Sequence, residues 1–158
     1  MIHERLVAYH NSTQRLPEHI LFYRDGVSES QYGMVKLGEL PLIKAGCSKA
    51  GLQFLRNPGW CPSITLLVVG KRHHTRFFKL DPDNSNTANL PSGLVVDTEV
   101  VDPTCSNFYL QSHDSPLGTA KPGHYVVIEN ESDYSMGQLQ ILVGCPSPNP
   151  KHVLIVRK

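Results

Sequence analysis

The sequence predicts an α/β domain. Two apolar runs carry most of that reading: His19-Ile20-Leu21-Phe22-Tyr23 is short and aromatic, and Ile64-Thr65-Leu66-Leu67-Val68-Val69 has the composition of a strand buried on both faces. Helical patterning lies between them. Strand, helix and strand in that order suggest a parallel βαβ unit. Beyond residue 93 come three more short strand candidates, separated by turn-rich stretches.

Taken in chain order, Ile2, Leu6, Val7 and Tyr9 recur at roughly helical spacing, and the periodicity fades at Asn11-Ser12-Thr13. A helix over about residues 2–10 follows, with no N-terminal cap in view. The first strand begins after Pro17 and stops at Asp25-Gly26, a preferred turn dipeptide. Ser28, with Glu29 and Gln31 as first-turn residues, opens a helix expected to run to about Lys44, with Gly38 and Pro41 as breakers in its middle. Residues 45–62 mix Gly, Asn and Pro and read as a connection into the second strand. Residues 80–93, LDPDNSNTANLPSG, form a polar loop. The later strands fall at residues 94–96, 108–110 and 125–128, and Ser132 or Asp133 caps a helix over residues 136–142. Residues 143–158 carry three prolines in five positions and then an apolar stub, a composition that cannot continue that helix. There are no internal repeats.

Composition narrows the function classes. A chain of 158 residues is one domain's worth, or a piece of a larger one. Fifteen Lys and Arg against fourteen Asp and Glu leave a formal charge of +1, so a polyanionic partner must be argued from local clustering. No apolar run approaches the roughly 18 residues that span a bilayer, and the charged N-terminus MIHERLVAYH does not read as a secretory signal. The expected location is the cytoplasm or the nucleus. Cys47, Cys61, Cys105 and Cys145 are scattered without a C-x-x-C pair, so reduced and mostly buried thiols are expected.

Two stretches carry chemistry. Asp25 stands just past a buried strand, where open α/β sheets place ligands; a carboxylate there suits a hard divalent cation, although Asp-Gly needs no function to explain it. One aspartate does not build a two-metal site, and the spacing of Asp97 and Asp114 does not say that they meet it. The second stretch is GKRHHTRFFK, residues 70–79, which holds Lys71, Arg72, Arg76 and Lys79 with no acid. As a strand it would send Arg72, His74 and Arg76 to one face and Lys71, His73 and Thr75 to the other. Either face could meet phosphates, with Phe77 and Phe78 beside them, as in a groove that tracks a nucleic-acid backbone; a charge-protected edge strand is the competing reading. His73, His74, His113 and His124 do not stand at zinc-ligand spacing with any cysteine. Gln111-Ser112-His113 and Gly118-Thr119-Ala120-Lys121-Pro122 suggest a second polar loop.

The segments IxFYRDGVSExQ, PxITxxVVxKRHHTRFF, LPSGLVVDTEV, NFYLQSHxSxxGTAKPxHY and LQIL, in that order and with fitting spacing, resemble the Piwi domain of eukaryotic Argonaute proteins, with a fungal flavour. The resemblance spans about residues 1–142 and implies a partial RNase H-like fold, a mixed sheet with flanking helices that lacks the first strands and the last helices. Residues 143–158 are a divergent Pro-rich tail. In that family the domain holds a small guide RNA, and some members cut the complementary target RNA using Mg or Mn. Asp25 matches the second aspartate of the family's catalytic tetrad of Asp, Glu, Asp and His or Asp, and would ligate metal only with partners that this chain does not carry. Lys71 and Arg72 match guide-facing basic positions, with His74 and Arg76 in the same stretch. His113 and Lys121 fall on guide-backbone contacts, Lys121 where the family commonly has Arg, which keeps the charge and loses the bidentate fork.

The departures from the family shape the expected function. The first catalytic Asp and the Glu lie upstream of Met1 in the family, and His152 stands too early to be the last tetrad member. The resemblance therefore implies an RNA-binding piece of an Argonaute Piwi domain, active in RNA silencing and not cleaving alone. The alternatives are part of a slicer endoribonuclease completed by a longer product, or a docking surface for Trp-containing peptides of silencing proteins. A sheet missing its first strands is expected to expose an apolar edge.

Overall fold

In the computed structural model the described residues are 1–79, 89–115 and 118–144, together with the backbone of 152–157. The sheet has six strands: β1 (His19–Asp25), β2 (Ser63–Gly70), β3 (Val95–Val96), β4 (Asn107–Leu110), β5 (Gly123–Asn130) and β6 (His152–Arg157). Their spatial order is β3-β4-β5-β2-β1-β6. β1 and β2 run parallel, whereas β5 is antiparallel to both β2 and β4. β2 is buried from Ile64 to Val69, which is why its sequence does not alternate. The architecture is the mixed, helix-flanked sheet that the sequence predicted.

Each face of the sheet has its own apolar layer. α1 (Ile2–Thr13) and α3 (Leu40–Leu55) cover one face, where Ile2, Leu6, Ile43, Cys47 and Ala50 pack against Ile20, Phe22, Ile64 and Leu66. His10 stacks on Phe54 at 3.9 Å and ties the two helices together. α4 (Met136–Gly144) serves the other face, with Leu139 against Leu21, Tyr23, Leu67, Phe108 and Leu110. Alternate residues of β1 and β2 thus feed alternate layers, as a period of two requires.

The crossover helix differs most from expectation. A 3₁₀ turn (Glu29–Gln31), α2 (Tyr32–Met34), a π segment (Val35–Glu39) and α3 follow one another, so helix continues to Leu55 and the true connection is residues 56–62. Ser28 opens the helix as expected, and with Gln31 it forms a capping box. Pro41 comes just after the π segment, so its missing N–H falls where the helix has already left the regular α ladder. The glycines that read as loop composition are packing residues. A Cβ on Gly46 would stand 2.9 Å from Ile2 Cβ, and one on Gly51 would stand 2.6 Å from the Asn57 carbonyl oxygen and 2.7 Å from Trp60 Cβ. α1 also outlasts its periodicity, because the Ser12 and Thr13 hydroxyls both donate to the Tyr9 carbonyl and Gln14 closes the helix at φ 55°. Ser135 caps α4, not Ser132 or Asp133: its hydroxyl accepts from Gln138 N–H at 3.3 Å while Gln138 Oε1 accepts from Ser135 N–H at 2.8 Å.

The expected open edge is not open. β6 pairs in parallel with β1, from His19 opposite His152 to Arg24 opposite Arg157. The apolar stub of the tail is therefore an edge strand, missed because six residues after a proline cluster offered no partner pattern of their own. The expected polar loop at 80–93 falls mostly outside the described residues.

Gly51→Ala should lower unfolding free energy by roughly 1–3 kcal/mol, because backbone as well as a side chain would have to move. Gly137→Ala, with nothing within 4 Å of the added carbon, should raise it by about 0.5 kcal/mol. Urea unfolding of the two variants reads both signs.

Candidate functional site

The parallel pairing of β1 and β2 brings both C-terminal ends to one side of the sheet, the place where α/β sheets hold ligands. Asp25 is the last residue of β1 and lies opposite Val69; Gly70, the last of β2, lies opposite His124 at the start of antiparallel β5. A cleft of about 880 Å³ opens there, walled by Asp25 to Tyr32 on one side, Val69 to His73 on the other, and His124. Gly26 turns the chain at φ 76°, a conformation that favours glycine, and the capping turn holds Glu29 and Tyr32 against the opening. Arg24 braces the corner from behind: its Nε donates to Glu39 Oε1 at 2.9 Å, with both side chains largely buried, and it also donates to the Asp25 carbonyl.

The basic stretch does not form the expected strand. β2 ends at Gly70, and residues 71–77 cross the end of the sheet without a ladder until Phe78 bridges Asn89. A period of two survives through side-chain anchoring. His73 Nε2 donates to the Pro122 carbonyl at 2.9 Å, the Thr75 hydroxyl donates to Tyr109 Oη at 3.4 Å, and Phe77 meets the Tyr109 ring edge-on at 5.6 Å. Tyr109 in turn stacks on His124 at 4.4 Å. With those three residues held inward, Lys71, Arg72 and His74 are exposed. Arg76 is half-buried, its guanidinium donating to the Thr75 carbonyl at 2.7 Å. Among the described residues, Lys71, Arg72, Arg76 and Lys121 make no ion pair.

His73 and His124 differ from surface imidazoles. Burial pushes both below the ordinary value of 6.5; the Pro122 hydrogen bond opposes this at His73, where Lys121, Arg76 and His74 add to it. His73 Nε2 carries the proton given to Pro122, which leaves Nδ1 as an acceptor, buried and without a partner. Protonating Nδ1 would bury an unpaired donor. At His124, Nε2 meets Asn107 Oδ1 at 2.9 Å, and because the Asn107 amide N–H groups already donate to the Asp102 and Cys105 carbonyls, His124 must be the donor.

The structure brings Asp25, Lys71 and Arg72 to one cleft, and places His74, Arg76 and Lys121 around His73. His113 is exposed on the loop after β4, where Ser112 is the partner of its ring and its carbonyl accepts from Gln111. No contact joins it to the cleft among the described residues. Asp97 accepts from Gln140 and Asp114 from Ser92 N–H, so neither of these acids joins Asp25. Glu29, Tyr32 and His124 line the cleft without having been assigned a role from sequence; Glu29 could not be told from an ordinary first-turn acid. No group of three or more His, Cys, Asp or Glu among the described residues is able to hold a metal ion. The donor set for a two-metal site does not fit what these residues supply, so no chemical step is routed through a metal here.

A model of the Piwi domain matches residues 1–144. The chain belongs to the Piwi-domain family of Argonaute proteins. It is 43% identical over 143 residues to Protein argonaute 7 of Arabidopsis thaliana, covering 90% of this chain and 13% of that protein. With Protein argonaute 1C of Oryza sativa subsp. japonica the identity is 40% over 148 residues, 91% of this chain and 14% of the relative. The chain thus spans about one seventh of the curated relatives it matches. Among solved structures, Kluyveromyces polysporus Argonaute with a guide RNA superposes with a TM-score of 0.79 at 28% identity, over 88% of this chain and 17% of that one. The C-terminal lobe of a budding yeast Argonaute gives 0.79 at 28% identity over 88% of this chain and 29% of that one, and Drosophila Piwi gives 0.73 at 30% identity over 90% and 18%. The mixed sheet and its flanking helices are therefore the RNase H-like fold of the Piwi domain.

The two half-buried imidazoles set a pH dependence. Their folded values lie below the unfolded 6.5, so below that pH the unfolded chain binds more protons and stability falls with acidification. Urea unfolding should lose stability from pH 7 to 5.5, and His124→Gln should flatten that fall.

Proposed function

We propose that this chain is an RNA-binding part of an Argonaute Piwi domain, holding the backbone of a small guide RNA and of the complementary target RNA paired with it. The observation that carries the reading is a set of cations beside the strand ends that make no ion pair among the described residues: Lys71 and Arg72 exposed in the cleft, with Arg76 following and Lys121 near His73. Cations that lack a carboxylate partner gain most from phosphates, since binding releases the counterions of the nucleic acid and displaces no internal ion pair. Anchoring by His73, Thr75 and Phe77 fixes the stretch in advance, which lowers the ordering cost of binding. One structural relative is an Argonaute solved with a guide RNA, and that supports the same partner here.

The reading assigns binding, and not cutting, to this chain alone. A two-metal cut needs several carboxylates to hold the ions and balance their charge, and Asp25 is the tetrad match in this sequence. A second reading, in which a longer product supplies the remaining acids and Mg or Mn, is favoured by Asp25 itself, which sits at the end of β1 in the cleft. Cytoplasmic or nuclear residence and a fungal source belong to the same proposal. Among the described residues no helix is long and apolar enough to cross a membrane. The division into a Piwi part at 1–142 and a divergent tail at 143–158 is likewise proposed, and no pocket residue argues for Trp-containing peptides.

Lys71→Ala and Arg72→Ala should each weaken binding of an RNA duplex several-fold, independent of its sequence, and reduce the slope of log affinity against log salt by about one. Lys49→Ala, exposed on α3, should do neither. Unchanged slopes for the first two would remove the basic stretch from the contact surface. A guide-paired target should stay intact in Mg²⁺; cleavage that Asp25→Asn abolishes would overturn the assignment of binding without cutting.

A further inference from the structure

Of the described cysteines Cys47 is buried while Cys61 and Cys105 are exposed, which corrects the expectation of mostly buried thiols, and none of the three lines the cleft. Two acids do line it, Asp25 and Glu29, in the wall that faces Lys71 and Arg72. Asp25 is half-buried at the end of β1, whereas Glu29 is exposed on the 3₁₀ turn. That turn does not need the Glu29 side chain. Its cap is made by Ser28 and Gln31, with Ser28 N–H donating to Gln31 Oε1 at 3.2 Å, and the Ser28 hydroxyl also meets Ser30 Oγ at 3.2 Å. Gly26, at φ 76°, sets the corner ahead of it. Glu29 itself makes neither a hydrogen bond nor an ion pair among the described residues. The cleft thus sets a carboxylate without such a partner against its cations.

We propose that Glu29 lets the cleft select ribose over deoxyribose, its carboxylate accepting a hydrogen bond from a 2′-hydroxyl of the backbone whose phosphates lie on Lys71 and Arg72. The inference rests on the RNA-binding reading of the same cleft. A carboxylate beside a phosphate-binding surface repels phosphate oxygens, which carry the same sign and are acceptors like itself. The ribose-phosphate backbone offers one group that reverses this. The 2′-hydroxyl is a donor, it stands on the sugar between successive phosphates, and it is what tells RNA from DNA at a given site. Its hydrogen bond to an ionised acceptor is stronger than one between neutral groups. Deoxyribose brings the phosphates without that donor, so there the carboxylate only opposes binding. One side chain thereby supplies both an attraction to the right sugar and a repulsion against the wrong one. Lys71 and Arg72, as phosphate contacts, position the strand and carry no preference between the two sugars.

The test is the affinity of the intact chain for two duplexes of one base sequence, all-ribose and all-2′-fluoro, read by fluorescence anisotropy at one salt concentration with EDTA present. Both duplexes are A-form, so they differ in the hydroxyl donor and not in shape. The expected result is about 5-fold or tighter binding of the ribose duplex. Glu29→Ala should bring the two affinities together, weakening the ribose duplex and tightening the fluoro one. Glu29→Gln, which keeps an acceptor oxygen and loses the charge, should retain part of the preference. Lys71→Ala should weaken both duplexes by the same factor. Equal affinities for the unaltered chain would overturn the inference and leave the RNA-binding reading standing. So would a Glu29→Ala chain that binds both duplexes tighter by one factor, because the acid would then act by repulsion alone. Salt-dependent binding of neither duplex would overturn the RNA-binding reading and this inference with it.

Discussion

β2 pairs in parallel with β1 on one side and antiparallel with β5 on the other, and the site follows from that double pairing. Parallel pairing puts the carboxyl ends of β1 and β2 side by side, which is how Asp25 comes to stand opposite Val69. Antiparallel pairing brings the beginning of β5 to the same end, which is how His124 comes to stand opposite Gly70. The strand can do this because it is apolar on both faces and covered on both, by α1 and α3 on one side and α4 on the other. A cleft with an acid at one wall and a histidine at the other is thus a consequence of strand direction.

Charge is then placed by anchoring. Past Gly70 the chain has no ladder to follow, and what keeps residues 71–77 in place is the ring of Tyr109 with the Pro122 carbonyl and the His124 stack. Burial disfavours a further proton on His73, Lys121, Arg76 and His74 add to this, and its second nitrogen has no hydrogen-bond partner among the described residues. The inward residues stay neutral and the neighbouring cations remain outside. That division of labour suits a polyanion, since among the described residues the cations need not be drawn out of ion pairs to reach phosphates.

Much of this was legible in the sequence, and the exceptions have physical reasons. β1, β2, the later strands and the Ser28 cap were readable because apolar runs and capping residues act locally. The length of α3 was not, because Gly46 and Gly51 serve contacts with Ile2, Asn57 and Trp60 that no local pattern reveals. β6 was invisible for the same reason: a short apolar segment becomes a strand only when a partner edge is present. At the site, Asp25 and the cations were found by residue type and order, whereas the inward set of His73, Thr75 and Phe77 depends on Tyr109 and Pro122, more than thirty residues away. His113 was expected among the RNA contacts, and among the described residues its hydrogen bonds are to its own neighbours Gln111 and Ser112.

The central claim is that RNA lies across the ends of β1 and β2. Ultraviolet crosslinking of the chain to a guide-paired RNA, with the attachment sites located by mass spectrometry, tests it most directly. The account predicts adducts within residues 70–78 and beside Lys121. Adducts confined to α1 and α3, which cover one face of the sheet, would contradict it.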